Sequence, residues 1–404
     1  MTLSEELAWR GFINQTTYED IKTLDGEPIT FYWGVDPSAK SMTIGNFAAA
    51  MLVRHFIDHG HKAVLLVGGA TGMIGDPDGK KDERNLKTID EIAANKASIS
   101  AQYERIFAGT PFAIVDNYDW FKDFNYLTFL RDVGKNVPLS SMLGRDFVQS
   151  RIGDGGSGIS YAEFSYSLIQ GYDFLHLFRE MGVTLQVCGS DQWGNSIAGV
   201  DLIRRIDGGE AHIFTAPLII NKATGVKFGK SEGGAVWLDP DMTSVYKFYQ
   251  FWLNVDDDGA LGYAKVYTLL TQDEIAVLAE KQAANPAARD AQKTLAYEVT
   301  KLVHGEAAAN SAKTVTDVLF GNSAFEELTE SDIDVLAQEI PVIGTGIGIV
   351  DALVESGLAS SKGEARRLMT GGAVSVNGEK TSDDQTVDKP SLIKKGKNGF
   401  LLVR

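Results

Sequence analysis

The chain has 404 residues, 44% of them hydrophobic, enough to bury a large core and divide into two or three domains; its longest apolar runs (63–67 and 216–220) fall far short of the roughly 20 residues of a membrane span. With 38 basic against 54 acidic side chains the net charge is −16, which excludes a protein that coats nucleic acid through a global positive field and makes any such contact local. A single cysteine, Cys188, excludes an intrachain disulfide, and a cytoplasmic location is expected.

Thr2 and Glu5 stand in capping-box spacing ahead of Leu7 and Trp9, with no basic segment leading into an apolar one, so an ordinary first helix is expected. From 31 to about 220, short apolar segments alternate with helical patterns: a strand at 31–35, a helix at 47–59, and a strand at 63–68 that ends in a glycine-rich turn. This βαβ grammar predicts an α/β, Rossmann-like domain over residues 1–220, with a parallel sheet, helices on both faces and a ligand at the carboxyl ends of the strands. Residues 221–240 carry glycine and lysine with little periodicity and predict a mobile loop and connector. Residues 241–320 predict an α-helical domain, with Tyr246, Phe248, Tyr249, Phe251 and Trp252 in one helix. An acidic stretch without clear periodicity, 321–346, is expected to be a linker. Residues 347–404 predict a small α+β unit. In it Ser361 and Glu364 box the start of a helix bearing Arg366 and Arg367, and Asn377-Gly378 marks a hairpin. This unit holds nine basic against seven acidic residues, a local +2 in an acidic chain.

Five stretches bear residues suited to chemistry. In the first, Tyr32 and Asp36 lie on or just beyond a strand, Ser38 follows, and Thr43-Ile44-Gly45-Asn46 opens a helix. Helix amides there face phosphate and Gly45 admits a base or ribose closely, although a plain strand-to-helix turn has the same pattern. The second is the glycine-rich turn 68–77, ending in Asp76 and followed by Lys80, Lys81 and Arg84. It suits an anion, but no lysine directly follows its last glycine, so it is not a P-loop. Asp76 suits an amino group, or serves as a turn or cap residue. In the third, Tyr166, Gln170 and Asp173 at i, i+4 and i+7 share one helical face among Phe164, Leu168, Ile169, Phe174 and Leu175. Such a face, unless solvated, binds a small polar molecule such as an amino acid, with Tyr166 and Gln170 accepting its ammonium and Asp173 a hydroxyl proton. The fourth, Gly189-Ser190-Asp191-Gln192-Trp193-Gly194-Asn195, follows a strand at 184–188 and offers Asp191 to ribose hydroxyls, or else a helix N-cap. The fifth is Lys227-Phe228-Gly229-Lys230-Ser231, whose lysines can follow charge onto a leaving pyrophosphate or form a solvated basic loop. His55, His59 and His61 cluster without the acidic neighbour of a zincin, and no tightly bound protein metal is expected. Cys188, in an apolar strand, reads as packed rather than reactive.

Taken in this order, the five stretches resemble bacterial-type tyrosyl-tRNA synthetases of class I, and the likeness runs over nearly the whole chain. Residues 43–46 stand where that family has His-Ile-Gly-His, and 227–231 where it has Lys-Met-Ser-Lys-Ser. The resemblance implies a homodimer that activates L-tyrosine with ATP, Mg²⁺ arriving with the nucleotide, and passes the acyl group to the terminal adenosine of tRNA(Tyr), with no role for DNA or a membrane. Carried over by motif, Tyr32 and Asp173 hold the phenolic hydroxyl, and Asp76, Tyr166 and Gln170 the α-ammonium. Asp36, Gly189, Asp191 and Gln192 position ribose and the reacting carboxylate, with Ser38 and Gly45 also at ATP. Thr43, Asn46, Lys227, Lys230 and Ser231 act in catalysis, joined by Lys80 and Arg84 on a cationic arm. The helical domain and the terminal unit correspond to tRNA-binding parts, the latter similar to a small RNA-binding domain shared with a ribosomal small-subunit protein. Arg366, Arg367, Lys394, Lys395 and Lys397 are its phosphate candidates. One departure matters: Thr43 replaces the first histidine of the signature and Asn46 the last, and threonine carries no positive charge. Ser38 offers a compensating hydroxyl, and an active enzyme is expected. The alternatives are a catalytically lapsed synthetase paralogue that binds RNA, and a ligase or nucleotidyltransferase with another acceptor.

Overall fold

The run Ala63-Val64-Leu65-Leu66-Val67 has no polar break, the pattern of a strand covered on both faces. In the computed structural model it forms most of an inner strand of a six-stranded sheet. The structure describes all residues except 78–85, 154, 222–224, 226–227, 232–233 and 322, and only the backbone of 146, 147, 230 and 231. The first elements are α1 (Leu3–Arg10), β1 (Gln15–Thr16), β2 (Thr30–Val35), α2 (Ile44–Asp58), β3 (Lys62–Val67), α3 (Thr71–Ile74), α4 (Ile89–Ile106) and β4 (Phe112–Asp116). There follow α5 (Tyr118–Phe121), α6 (Tyr126–Asp132), α7 (Leu139–Leu143), α8 (Asp146–Ile152), α9 (Tyr161–Met181), β5 (Val183–Gly189), α10 (Trp193–Asp207) and β6 (His212–Ala216). A short pair, β7 (Lys230–Ser231) and β8 (Gly234–Ala235), leads to α11 (Val245–Leu253), α12 (Asp257–Tyr267), α13 (Gln272–Ala284), α14 (Asp290–His304), α15 (Glu306–Phe320) and α16 (Glu330–Ala337).

The sheet order is β1-β6-β5-β2-β3-β4, parallel throughout except for β1, which pairs antiparallel with β6 at one edge. The chain moves from β2 outward to β3 and β4, then returns on the other side of β2 to β5 and β6. The topological switch point therefore lies between β2 and β5, where an open α/β sheet leaves a crevice. Successive residues of β2 face opposite ways. Phe31 packs on Phe56 of α2 and Trp33 on Tyr103 of α4, with ring centroids 5.1 and 5.4 Å apart, while Tyr32 turns to Phe174 of α9 at 5.2 Å. Leu175, Leu177 and Ile203 complete the core on the α9 and α10 side.

Thr2 and Glu5 form the capping box of α1. On that helix Arg10 Nε donates to Glu6 Oε1 at 2.8 Å, and its other nitrogens donate to the carbonyls of Lys265, Thr268 and Leu270, tying α1 to the end of α12. Glu6 also lies 3.3 Å from His55 Nδ1 and 3.5 Å from His59 Nε2, an acidic neighbour that the local spacing of the histidines does not reveal. Burial pushes His55 down to about 2, so it is neutral at physiological pH.

Between α8 and α9, Arg151 and Glu163 make an ion pair at 2.9 Å with side chains 5% and 2% exposed, and Arg151 Nε donates to Gly158 O at 2.6 Å. Removing one partner leaves the other charge buried. Arg151→Met is expected to cost about 3–5 kcal/mol in a denaturant melt, and Glu163→Leu added to it to recover much of that loss.

The chain forms two units: Met1–Thr243 with Asn254–Leu295, and Ser244–Leu253 with Ala296–Arg404. The helices of the 241–320 stretch are shared between them. In the second unit α11 contributes Tyr246 to a core with Val315, Leu319, Phe325, Leu336 and Leu402. In the first, Tyr267 of α12 stacks on Phe47 of α2 at 6.1 Å. A helical period identifies an apolar face, not the partner that covers it.

The stretch 321–346, where the sequence suggests a linker, contains α16, capped by Thr329 and Asp332, and β9 (Val342–Ile343). Both are too short to show periodicity. The remaining elements are β10 (Ile347–Gly348), α17 (Ile349–Glu355), α18 (Lys362–Thr370), β11 (Val374–Val376), β12 (Glu379–Lys380), β13 (Thr386–Val387), β14 (Ser391–Lys395) and β15 (Gly399–Val403). They build a sheet of order β12-β11-β14-β15-β9 beside the β10-β13 pair. Asn377 and Gly378, with φ of 47° and 87°, make the tight turn between β11 and β12. Ser361 caps α18, but Glu364 returns its carboxylate to Ser360 rather than Ser361, so the expected box closes one residue earlier. Among the described residues no helix is long and apolar enough to cross a membrane.

Candidate active site

A cleft of about 740 Å³ opens at the carboxyl ends of β2, β5 and β6, at the switch point. Its inner end is built around Tyr32 and Asp173. Tyr32 is 2% exposed and its hydroxyl has no hydrogen-bond partner among the described residues; the same holds for Gln186 Oε1, on β5 and also lining the cleft. Asp173 is held by two donors on different oxygens: Trp120 Nε1 to Oδ1 at 2.9 Å and Asn117 Nδ2 to Oδ2 at 3.0 Å. Burial nonetheless pushes its carboxyl up to about 8, with the two donors opposing and Asp36 and Asp116 adding to the rise.

Further out, Asp36 accepts from Thr71 Oγ1 at 2.6 Å and from the Tyr166 hydroxyl at 2.7 Å. The Tyr166 proton is thereby committed, which leaves the oxygen lone pairs as acceptors. Burial first, then the nearby carboxylates, raises the Tyr166 phenol well above its ordinary value, so it stays neutral. Gln170, one turn along α9, also lines the cleft. Asp76 accepts from Gln192 Nε2 at 2.6 Å; α3 ends at Ile74, with Gly75 as its C-cap residue. Gly189, the last residue of β5, and Asp191 just after it border the cleft. Neither Ser190, Asp191 nor Asn195 caps α10, whose N-cap residue is Gln192.

The outer end is the N-terminus of α2, with Ser38, Thr43, Gly45 and Asn46. Thr43 and Asn46 form a capping box: Asn46 Oδ1 accepts from Thr43 N at 3.0 Å and from Thr43 Oγ1 at 2.9 Å. The pair thus satisfies itself, and the amide nitrogen of Asn46 is the donor this arrangement leaves over. Ile44 N donates to Val236 O at 3.1 Å, and Phe228 and Gly229 also line this end. Lys80, Arg84 and Lys227 lie outside the described residues, as do the side chains of Lys230 and Ser231, whose backbone forms β7.

The five candidates of the terminal unit belong to the second unit, not to the cleft. Arg366, Arg367 and Lys397 are exposed. Lys394 Nζ donates to Leu319 O at 3.0 Å and Lys395 Nζ to Leu358 O at 2.5 Å, so both are partly engaged within their own unit. Cys188 lines the cleft, 5% exposed and 3.4 Å from Ser196 Oγ, and burial pushes its thiol up to about 12. Sequence reasoning passed over Asn117, Trp120 and Gln186. Gln186 carried a signal, being polar within an otherwise apolar strand; Asn117 and Trp120 just follow β4, a strand end like those of β2 and β5.

A doubly wound parallel sheet with an acid-lined cleft at its switch point defines a nucleotide-type α/β enzyme domain. The family model of class I tRNA synthetases (W and Y) matches residues 24–321, and that of the tyrosine–tRNA ligase SYY-like C-terminal domain matches 332–404. The chain belongs to the tyrosine branch of the class I tRNA synthetase family. It is 43% identical over 419 residues to the tyrosine–tRNA ligase of Limosilactobacillus fermentum, covering 100% of this chain and 99% of that one. It is 44% identical over 423 residues to that of Geobacillus kaustophilus, with full coverage of both. Among solved structures, a C-terminally truncated mitochondrial tyrosyl-tRNA synthetase from Aspergillus nidulans aligns with 32% identity and a TM-score of 0.69, over 77% of this chain and 92% of that one. A tyrosyl-tRNA synthetase complexed with L-tyrosine from Archaeoglobus fulgidus, at 15% identity and a TM-score of 0.57, shares the fold over 77% of this chain and 99% of that one.

Proposed function

We propose that the chain is a tyrosine–tRNA ligase. The tyrosine carboxylate attacks the α-phosphorus of magnesium-bound ATP, a new P–O bond forms as the α–β bond breaks, and pyrophosphate leaves. A terminal hydroxyl of tRNA(Tyr) then takes the acyl group from the adenylate and AMP departs. No protein nucleophile is needed; positioning and charge stabilisation carry both steps. The observation that carries this reading is the Tyr32 hydroxyl, buried without a partner among the described residues in a cleft that also holds the buried Asp173 carboxylate. An orphaned hydroxyl beside a carboxylate suits a phenol, which donates to one and accepts from the other.

Around this end the amino acid fits in one direction. Asp76, Tyr166 and Gln170 take the ammonium, and Tyr166 does so as an acceptor because its proton already serves Asp36. Asp36, Gly189, Asp191 and Gln192 face ribose and the reacting carboxylate, and Ser38, Thr43, Gly45 and Asn46 the phosphates at the α2 terminus. The cations Lys80, Arg84, Lys227 and Lys230, with Ser231, are assigned to pyrophosphate departure by their signatures alone. For tRNA phosphates, Arg366, Arg367 and Lys397 are better placed than Lys394 and Lys395, each of which already donates to a backbone carbonyl. Exposed apolar side chains at Tyr126, Leu127, Leu139 and Tyr161 support a homodimer. Cytoplasmic location accords with the single buried cysteine.

The test is tyrosine-dependent exchange of pyrophosphate into ATP by the purified protein, followed by acylation of tRNA. Robust exchange with tyrosine and not with phenylalanine is expected. A folded protein that binds tyrosine yet gives no exchange would return the reading to an RNA-binding paralogue.

A further inference from the structure

Arg145, between α7 and α8, does not line the cleft, but reaches it through one buried side chain. Its Nη1 donates to Asn195 Oδ1 at 2.7 Å and its Nη2 to Gly194 O at 2.6 Å. Asn195, 4% exposed, turns its Nδ2 to Gln192 Oε1 at 3.2 Å and to Asp76 Oδ1 at 3.5 Å. Gln192 Nε2 then donates to Asp76 Oδ2 at 2.6 Å.

The direction of this relay is set at both ends, by a group that only donates and a carboxylate that only accepts. A guanidinium has only donors and does not lose its proton in proteins, so Asn195 must present its carbonyl oxygen to Arg145 and its amide nitrogen to Gln192. Gln192 must in turn present its oxygen to Asn195 and its nitrogen to Asp76. Reversing either amide would set donor against donor, or acceptor against acceptor, around a buried side chain. Without a cation at 145 the Asn195 carbonyl loses the donor that anchors it, and its amide is released to turn away from Gln192 Oε1 and Asp76 Oδ1, which leaves the Gln192–Asp76 pair without support on that side.

We propose that Arg145 is a positioning residue that anchors Asn195 and, through it, braces Gln192 and Asp76, and so tunes the cleft for the ammonium end of tyrosine. The proposal rests on the tyrosine–tRNA ligase reading above. Arg145 walls a separate cavity of about 190 Å³ with Met142 and Trp193, so an effect of its replacement on tyrosine cannot arise from direct contact in the cleft.

Exchange kinetics of Arg145→Met, Arg145→Lys and Asn195→Asp test it, with the KM for tyrosine, the KM for ATP, kcat and the thermal midpoint measured for each. Arg145→Met is expected to raise the tyrosine KM about tenfold while the ATP KM stays within about twofold, the effect of one lost supporting hydrogen bond. Arg145→Lys keeps a donor for Asn195 and is expected to restore the tyrosine KM to within about threefold of wild type. Asn195→Asp keeps the pairing with Arg145 but sets an acceptor in place of the donor to Gln192 Oε1 and Asp76 Oδ1, so its tyrosine KM should rise at least as far as that of Arg145→Met. An unchanged tyrosine KM in Arg145→Met overturns the relay. So does a parallel rise in both KM values with a lowered thermal midpoint, which marks a general structural role, or a lysine variant no better than methionine. Absence of exchange in the wild-type protein overturns the ligase reading, and the proposal with it.

Discussion

Replacing Asp173 with asparagine is expected to raise the KM for tyrosine by about 10- to 100-fold, the loss of one hydrogen bond to a charged acceptor, and to leave the KM for ATP unchanged. The substitution conserves volume, and an amide oxygen can still accept from Trp120 or Asn117, so the fold should persist. Exchange with phenylalanine should be little affected, and discrimination between the two amino acids should fall accordingly. A site that hydrogen-bonds a substrate hydroxyl rejects the analogue lacking it by about 10⁴ to 10⁵, a figure for which tyrosyl-tRNA synthetases are themselves the reference case. The same residue predicts a pH dependence. With its carboxyl pushed up to about 8 by burial, Asp173 is about one-tenth ionised at pH 7 and half ionised at pH 8 in the free protein. If the carboxylate is the form that receives the phenol, the tyrosine KM falls about fivefold across that unit, and Asp173→Asn abolishes the step. A flat wild-type profile would sink this account. Stability runs the same way. The folded-state value lies above the ordinary one of 3.8, so this group's stabilising contribution is full below about pH 4 and is lost as pH rises through about 8. Asp173→Asn should flatten that slope in thermal melts.

Gly68→Ala is expected to lower tyrosine-dependent exchange by about two orders of magnitude, because a misplacement of about 1 Å among positioning groups costs that much. A Cβ at this position would lie 2.2 Å from both Asp36 Oδ1 and Thr71 Oγ1, the two atoms whose hydrogen bond orients Asp36. Backbone relief is limited, since Gly68 N donates to Val35 O at 3.0 Å and Gly68 O accepts from Gly72 N at 2.7 Å. Asp36 must swing, and its bond from Tyr166 goes with it. Gly69→Ala is the control: its Cβ would meet Asp116 Oδ1 at 2.2 Å and Tyr118 Cβ at 2.9 Å, neither of which lines the cleft. Both variants should lose stability from overpacking, about 1–3 kcal/mol, but only Gly68→Ala should lose exchange out of proportion to its folded fraction. Equal losses of activity in the two would mean that the Asp36–Thr71 contact has no part in positioning.

Local spacing in the sequence was enough to define much of this molecule. Alternation of short apolar runs with helical patterns determined a parallel α/β sheet, because a strand covered on both faces must be apolar throughout and its crossover must be a helix. The i, i+4, i+7 spacing put Tyr166, Gln170 and Asp173 on one face of α9, since a helix repeats every 3.6 residues whatever surrounds it. Asn377-Gly378 determined its hairpin for a similar reason: both positions need positive φ, which these two residues tolerate. The tertiary structure alone decided what those faces meet. Asn117 and Trp120 reach Asp173 across 56 and 53 residues of chain, and Arg145 reaches Asn195 across 50, distances over which no periodicity carries information. It also decided that Thr43 spends its hydroxyl on Asn46, that α11 and α12 serve different units, and that a carboxylate in the cleft sits far above its ordinary range. Each depends on which groups are brought together and on how much water is removed from around them, and burial and hydrogen-bond partnership belong to the folded chain rather than to any segment of it.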